Sequence, residues 1–350
     1  MTARSICFRC VVVLLAGLLS APLTSRTRAD PADPAGTLGP STRPEPILTS
    51  VPLDPDLPEY TRPLKPLTGT LNSVGTTTAT NLMRRWIDAF KVLQPDVEMA
   101  CRGPSETGLL AFADGSAQLA AMSRPIRPAE IESVARKLGH PPLELKVAVG
   151  ALAVYVEKTN PIAQRGLTLK ELDAIFSNQR RRGGAPARTW GDFGLDGPWA
   201  DRPIALYGWS RDRTASILFS QLVLEGADLN ASVLPQPTSS SVVQAVGADP
   251  AGIGYASVFF RTRRTRVVPL TGADGRLYAP TAENCQGDRY PLARFLYIYL
   301  LPPSGKPSDA LVVEFLKFAL SRQGQRVASD GGNYPLSAGV AAAQLRLLGQ

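Results

Sequence analysis

The segment 67–90 constrains the fold most, because it is typical of a strand, a turn and a helix in succession. Residues 67–71 alternate between apolar and polar side chains, which predicts a short strand. Residues 72–78 are small and mostly hydroxylated. The apolar residues that follow recur at helical spacing: Leu82, Trp86, Ala89, Phe90 and Leu93. The sequence therefore predicts a helix that begins at the threonines 76–78.

The start of this helix has the chemistry of an anion-binding site. The first backbone N–H groups of a helix have no partner within the helix, and the helix dipole places partial positive charge there. The hydroxyls of Thr76, Thr77 and Thr78 add donors at the same place. The alternative, an ordinary threonine N-cap with no ligand, remains open at this point.

The ends of the chain indicate an exported protein. Residues 1–29 combine a basic start with a short apolar run and are typical of a secretory signal peptide. Residues 30–66 are rich in proline and lack periodicity, which predicts a disordered tether. Without residues 1–29, which hold four arginines and no acidic residue, the net charge falls from +8 to +4. That charge suits small anions better than nucleic acid, which requires a concentrated basic face.

Strands and helices alternate from residue 67 onward, which predicts an α/β fold with a mainly parallel sheet. A chain of 350 residues predicts two lobes. Residues 143–156 are apolar and β-branched with a break at Gly150, so we interpret them as one strand leaving the first lobe and another entering the second. Residues 267–270 are then expected to form a return strand.

The sequence lacks the motifs of the common enzymes. His140 is its one histidine, which argues against Ser–His catalysis and against a histidine-rich metal site. It contains neither a nucleophile elbow, nor a phosphate-binding P-loop, nor a dinucleotide fingerprint. We therefore expect no catalytic residue, no metal and no cofactor.

Short motifs distributed from Leu67 to Leu336 resemble those of the periplasmic phosphate-binding proteins of phosphate ABC transporters. The motifs are 75–78 (GTTT), 120–125 (AAMSRP), 151–156 (ALAVYV), 167–169 (LTL), 175–177 (IFS), 189–192 (TWGD), 252–255 (GIGY), 290–294 (YPLAR) and 320–325 (LSRQGQ). The resemblance implies a type II periplasmic-binding-protein-like fold, in which two α/β lobes are joined by two crossing strands as a hinge. It implies that residues 67–151 and 267–350 form lobe 1, and that residues 152–266 form lobe 2.

In lobe 1 the resemblance assigns the anion ligands to three turns. The first turn holds Gly75 and the threonines 76–78, with Thr77 where relatives often have an acidic residue. The second turn contributes Ser105, and the third contributes Ser123 and Arg124. A strand-end salt bridge between Arg124 and Glu130 is the alternative interpretation of the arginine.

Lobe 2 departs from the family pattern of an arginine, three residues and then Ser-Gly-Thr. Those positions hold Trp209, Arg213, Thr214 and Ala215 here. Arg211 and Arg213 are candidates to restore positive charge, and Thr214 to restore a hydroxyl. We expect Trp209 to form a wall of the cleft or to pack within the lobe rather than to contact the anion.

Two cysteines, Cys101 and Cys285, remain after the signal segment. In an oxidising compartment they form either one disulfide or two buried thiols, and the sequence does not decide between these alternatives.

The expected function is capture of phosphate, or of a similar oxyanion, by a periplasmic solute-binding protein that delivers it to an ABC permease in the inner membrane. The alternative is a family member with an altered anion site that acts as an envelope sensor or as a partner-binding scaffold. The changed residues of lobe 2 motivate that second hypothesis.

Overall fold

The structure is a computed structural model that describes residues 47–48, 51–102, 108–211, 214–302 and 307–349. Its strands are β1 (Ile47–Leu48), β2 (Gly69–Gly75), β3 (Val97–Arg102), β4 (Leu119–Met122), β5 (Leu143–Glu157), β6 (Ala205–Trp209), β7 (Leu234–Gln236), β8 (Gly252–Ser257), β9 (Phe260–Arg261), β10 (Thr265–Val267), β11 (Leu270–Thr271), β12 (Leu277–Tyr278) and β13 (Ala293–Leu300). Its α-helices are α1 (Thr77–Leu93), α2 (Gly108–Ala113), α3 (Pro128–Leu138), α4 (Ile162–Arg165), α5 (Leu169–Phe176), α6 (Thr214–Val223), α7 (Ser239–Ala248), α8 (Ala282–Gln286), α9 (Pro307–Leu320), α10 (Arg322–Asp330) and α11 (Ala338–Leu347). Two short 3₁₀ helices span Trp190–Phe193 and Gly197–Trp199.

The main sheet has the strand order β3-β2-β4-β13-β5-β8-β6-β7, and β10 pairs with β5 beside this path. On one side, β2 pairs with β3 and β4 in parallel; on the other, β6 pairs with β7 and β8 in parallel. The strands β13 and β5 join these two groups through antiparallel ladders. This arrangement of two parallel groups with helical connections agrees with the predicted two-lobe α/β fold class. The sheet is mixed rather than mainly parallel, because β5 and β13 pair antiparallel with their neighbours.

The connection between the two groups is a single long strand. We expected a break at Gly150, but β5 continues through it from Leu143 to Glu157. Its residues up to Ala151 pair with β13, and its residues from Leu152 pair with β8. After the second parallel group the chain runs back beside β5, because β10 pairs antiparallel with the end of that strand. The residue bounds assigned to the two lobes remain predictions.

Helix α1 is held by the apolar stripe that its sequence predicted. The side chains of Leu82, Trp86 and Phe90 are buried on one face. The Phe90 ring meets that of Phe315 edge to face, with centroids 5.5 Å apart. The indole Nε1 of Trp86 donates a hydrogen bond of 2.7 Å to the backbone oxygen of Gly324. The stripe thus fixes α1 against α9 and α10.

The structure differs from the predicted tether over residues 51–66. Leu57 is buried, and the Tyr60 ring packs edge to face on Phe318 with centroids 5.6 Å apart. The backbone N–H of Arg322 donates to the carbonyl of Pro58 at 2.8 Å. Prolines prevent regular secondary structure in this segment, but they do not prevent its few apolar side chains from packing. Its residues 51–60 therefore belong to the folded body, whereas residues 30–46 lie outside the described residues.

The predicted signal segment, residues 1–29, also lies outside the described residues. Within the described part of the chain, no helix combines the length and the apolar character needed to cross a bilayer.

Candidate functional site

Three of the predicted ligand residues meet where β2 and β4 end. Gly75 is the register partner of Ala121 on the neighbouring strand. The backbone N–H of Thr76 donates to the Ala121 carbonyl at 3.0 Å, and its Oγ1 accepts the N–H of Ser123, also at 3.0 Å. The carboxyl ends of parallel strands meet at one edge of a sheet, which brings the first and third predicted turns together.

The N-terminus of α1 lacks a side-chain cap. Thr76 occupies the N-cap position in extended backbone geometry, yet its side chain makes no capping hydrogen bond, and the first turn holds no acidic residue. In contrast, Thr168 and Thr238 cap α5 and α7 by accepting a backbone N–H of the first turn. The Thr76 hydroxyl accepts the Ser123 N–H and donates to no group among the described residues, so its proton is available to a ligand. A helix of 17 residues thus directs uncapped N–H groups and its positive dipole end at this edge.

Arg124 is engaged by a carboxylate. Its two terminal nitrogens donate to the two carboxylate oxygens of Glu130, each at 2.8 Å. The hydrogen bonds and charge of Arg124 lower the pKa of Glu130 to about 2. The salt bridge considered from the sequence is therefore present, and assignment of Arg124 as an anion ligand remains a prediction.

We expect Glu130→Gln to destabilise the protein by about 1–2 kcal/mol at neutral pH, because a bidentate pair about one-third exposed loses its charge. The pKa of Glu130 is lower in the folded state than in the unfolded chain, so its stabilisation is complete above the ordinary pKa of 4.5 and is lost as the pH falls towards 2. Urea unfolding of wild type and variant between these pH values measures the difference.

Glu132→Gln is the matched control, because Glu132 lies on the same helix α3 and its carboxylate and its partner Arg136 are both largely exposed. We expect no measurable change for this control. A constant difference between wild type and Glu130→Gln at every pH would contradict the electrostatic explanation.

The corresponding turn of the second parallel group runs from Trp209 at the end of β6 to Thr214 at the start of α6. The hydroxyl of Ser216 donates to the Trp209 carbonyl at 2.9 Å and lies 2.7 Å from the hydroxyl of Tyr255. Arg211 is exposed to solvent. The buried Tyr255 thus holds the start of this turn in place through Ser216.

The remaining predicted ligands are only partly described. Ser105 and Arg213 lie outside the described residues, and for Thr77, Thr78 and Thr214 the structure describes the backbone but not the side chain. Their assignment as ligands remains a prediction.

A cavity of about 550 Å³ lies between the two parallel groups. Asn81 and Arg85, which follow the first turn of α1, line one side of the cavity. Trp209 and Ala215 line the other side. Arg294, at the start of β13, lines it as well. Arg294 ends the family motif 290–294, but the sequence alone did not indicate a role for it. The only indication in the sequence was that a charged residue, Arg294, stands at the beginning of an apolar strand.

Cys101 and Cys285 are two separate thiols in the structure. Cys101 is half-buried on β3, and Cys285 is buried in α8, which packs on β13 and β5. The three strand spacings from β3 to β13 add up to roughly 14 Å, well beyond the reach of a disulfide. The structure thus contains two free thiols, of which only Cys285 is buried. Burial raises the pKa of Cys285 to about 12.

A two-lobe α/β fold with an uncapped helix end and a cavity between its parallel groups is typical of solute-binding proteins. Residues 61–323 match the family described as the PBP superfamily domain. The chain is 39% identical over 300 residues to the phosphate-binding protein PstS of Pseudomonas aeruginosa, covering 85% of this chain and 92% of that protein. The chain therefore belongs to the periplasmic-binding-protein superfamily, in the family of that phosphate-binding protein.

A more distant relative and two solved structures are similar to this chain as well. The protein SphX of Synechococcus elongatus is 27% identical over 235 residues, covering 66% of each chain. A possible phosphate binding protein from Planctomyces limnophilus superposes with a TM-score of 0.67 at 21% identity, covering 81% of this chain and 98% of that one. An ABC-type phosphate transport receptor from Vibrio cholerae superposes with a TM-score of 0.63 at 18% identity, covering 76% of this chain and 99% of that one. These two structures support the fold.

Family membership confirms the resemblance inferred from the short motifs. It also confirms that the chain is a binding protein and not an enzyme, as the missing catalytic motifs indicated. Proteins of the PstS type are extracytoplasmic, which agrees with the predicted export.

Proposed function

We propose that this protein captures phosphate, or a similar tetrahedral oxyanion, in the cleft between its lobes and delivers it to an ABC permease in the inner membrane. The observation that carries the proposal is the uncapped N-terminus of α1, next to the paired Thr76 and Ser123. Backbone N–H groups and a hydroxyl donor converge there without a carboxylate in the first turn, so an anion is the complementary ligand. The names of the P. aeruginosa and V. cholerae relatives, a phosphate-binding protein and a phosphate transport receptor, support phosphate as that anion and a permease as the partner.

The proposal extends to the compartment. A basic start and a short apolar run support export into the periplasm, where a solute-binding protein meets its permease.

Thr76→Val tests the site, because valine keeps the shape of threonine and removes the hydroxyl. A hydrogen bond to a charged group contributes about 1.5–3 kcal/mol, so we expect phosphate affinity to fall roughly 10-fold to 100-fold. Isothermal titration calorimetry with phosphate, arsenate, sulfate and a phosphonate measures the affinity and shows which anion is preferred.

Thr70→Val is the matched control, because Thr70 is an exposed threonine of β2, the strand that precedes Thr76, near the end remote from α1. Its affinity is expected to equal that of the wild type. Wild-type protein that binds none of the four anions would overturn the proposal, and equal affinity of both variants would remove Thr76 from the site.

A second candidate function is that of an envelope sensor or partner-binding scaffold with an altered anion site. Trp209 and Ala215, which stand where relatives have an arginine and a threonine, both line the cavity and favour this alternative. Phosphate binding that is lost on Thr76→Val would argue for transport, whereas anion-independent capture of an envelope protein would argue for the scaffold.

A further inference from the structure

The guanidinium of Arg294 is a buried charge for which the described residues provide no partner. Its Nε and Nη1 atoms are inaccessible to solvent and make no hydrogen bond, while the residue as a whole is half-buried and lines the cavity. Burial lowers the pKa of Arg294 only to about 10, so the side chain remains charged at neutral pH. A buried charge without a partner is costly, so the cavity that Arg294 lines is a favourable place for an anionic ligand.

Two other half-buried arginines of the described structure do have partners. Arg124 is paired with Glu130, and Arg182 donates to the backbone carbonyls of Leu222 and Val223. Arg294 is also half-buried, but it differs from these two arginines because its buried nitrogens have no partner among the described residues.

The surroundings of Arg294 favour a ligand that accepts hydrogen bonds. The indole Nε1 of Trp209 is a second buried donor without a partner, and Trp209 lines the same cavity. Arg85 adds a second positive charge, and Asp330 is the one acidic residue among the described residues that line it. Unpaired donors and an excess of positive charge match an anion.

The sheet places Arg294 at the edge that holds the uncapped helix end. The strand β13 is antiparallel to β4, with Tyr297 opposite Met122, so the beginning of β13 lies beside the turn at Ser123. Asn81 of α1 lines the same cavity as Arg294. The cavity is thus a neighbour of the proposed phosphate site rather than part of a remote surface.

We propose that Arg294 binds an oxyanionic group inside this cavity and so supplies the positive charge that the turn at Trp209 lacks. This inference rests on the proposed function and deepens it. The oxyanionic group is either the phosphate itself or a second acidic group of a larger ligand whose phosphate lies at α1. A cavity of about 550 Å³ has the volume of a small-molecule site and accommodates both.

The experiment compares Arg294→Gln and Arg294→Met with the wild type by calorimetry, using inorganic phosphate in one arm and phosphonoacetate in the other. Arg266→Gln is the matched control, because Arg266 is exposed on β10 and is not part of the cavity lining. We expect at least a tenfold loss of affinity for both Arg294 variants and no loss for the control.

The two arms separate the sources of the anionic group. Loss for both ligands assigns Arg294 to the phosphate, and loss for phosphonoacetate alone assigns it to a second acidic group. Unchanged affinity for both ligands overturns the inference while leaving the proposed function intact. Binding of phosphonoacetate that depends on Arg294, without binding of phosphate, supports the inference and overturns phosphate capture. Binding of neither ligand overturns both.

Thermal unfolding in anion-free buffer distinguishes binding from structural support. Removing an unpaired buried charge is expected to leave the midpoint unchanged or to raise it, and to abolish the increase that anions cause in the wild type. A midpoint that falls in both variants without anion, together with unchanged affinities, would show that Arg294 only supports the fold.

Discussion

Gly75→Ala is expected to destabilise the protein by at least about 3 kcal/mol and to abolish phosphate binding. A Cβ atom on Gly75 would lie 1.9 Å from the backbone oxygen of Ala121. That oxygen belongs to the central part of the sheet and accepts the Thr76 N–H, so it cannot move away without opening the strand pair. Urea unfolding gives the free energy of unfolding, and calorimetry gives the affinity.

Gly339→Ala is the control for the Gly75 substitution. Gly339 is exposed in α11, and a Cβ there meets no atom within 4 Å. Because alanine favours helix more than glycine does, we expect this variant to be as stable as the wild type or to gain up to about 1 kcal/mol. Unfolding of Gly75→Ala at the wild-type midpoint would contradict the close approach of β2 and β4.

Tyr255→Ala is expected to cost about 3–5 kcal/mol, because it empties a fully buried aromatic site. The Tyr255 ring is stacked on Phe219 with centroids 3.9 Å apart, and it meets Phe176 edge to face at 5.7 Å. The Tyr255 hydroxyl is hydrogen-bonded to the hydroxyl of Ser216, which donates to the carbonyl of Trp209. Loss of the ring therefore loosens the turn of the second lobe, and we expect anion affinity to fall together with stability.

Tyr255→Phe separates the hydroxyl from the ring. Phenylalanine retains the stacking on Phe219, so only a hydrogen bond of about 1 kcal/mol is lost. Equal unfolding free energies for the alanine and phenylalanine variants, measured in urea, would show that ring packing does not hold this turn.

Local patterns predicted α1 and the residues around its N-terminus. The helical stripe of Trp86 and Phe90 is periodic, and a glycine followed by threonines is recognisable without a structure. The family resemblance implied that Thr76 and Ser123 share one site, and their proximity agrees with a general property of parallel strands, whose carboxyl ends share one edge. These parts of the candidate site depend on neighbours in sequence or on simple topology.

Contacts between distant segments could not be predicted. Arg294 reaches the cavity because β13 is inserted antiparallel beside β4, which no local pattern specifies. Leu57 and Tyr60 lie in a proline-rich segment without periodicity, and their partners belong to helices far along the chain. Nor did the sequence specify a continuous β5, because Gly150 is typical of a break but also fits within a strand.

The shared strand limits how the lobes can move. Because β5 pairs with β13 up to Ala151 and with β8 from Leu152, one unbroken backbone belongs to both halves of the sheet. Closure then has to bend or twist this strand near Gly150, whose register partner on β13 is Arg294. An anion bound by Arg294 would therefore lie directly beside the segment of β5 that such a closure has to deform.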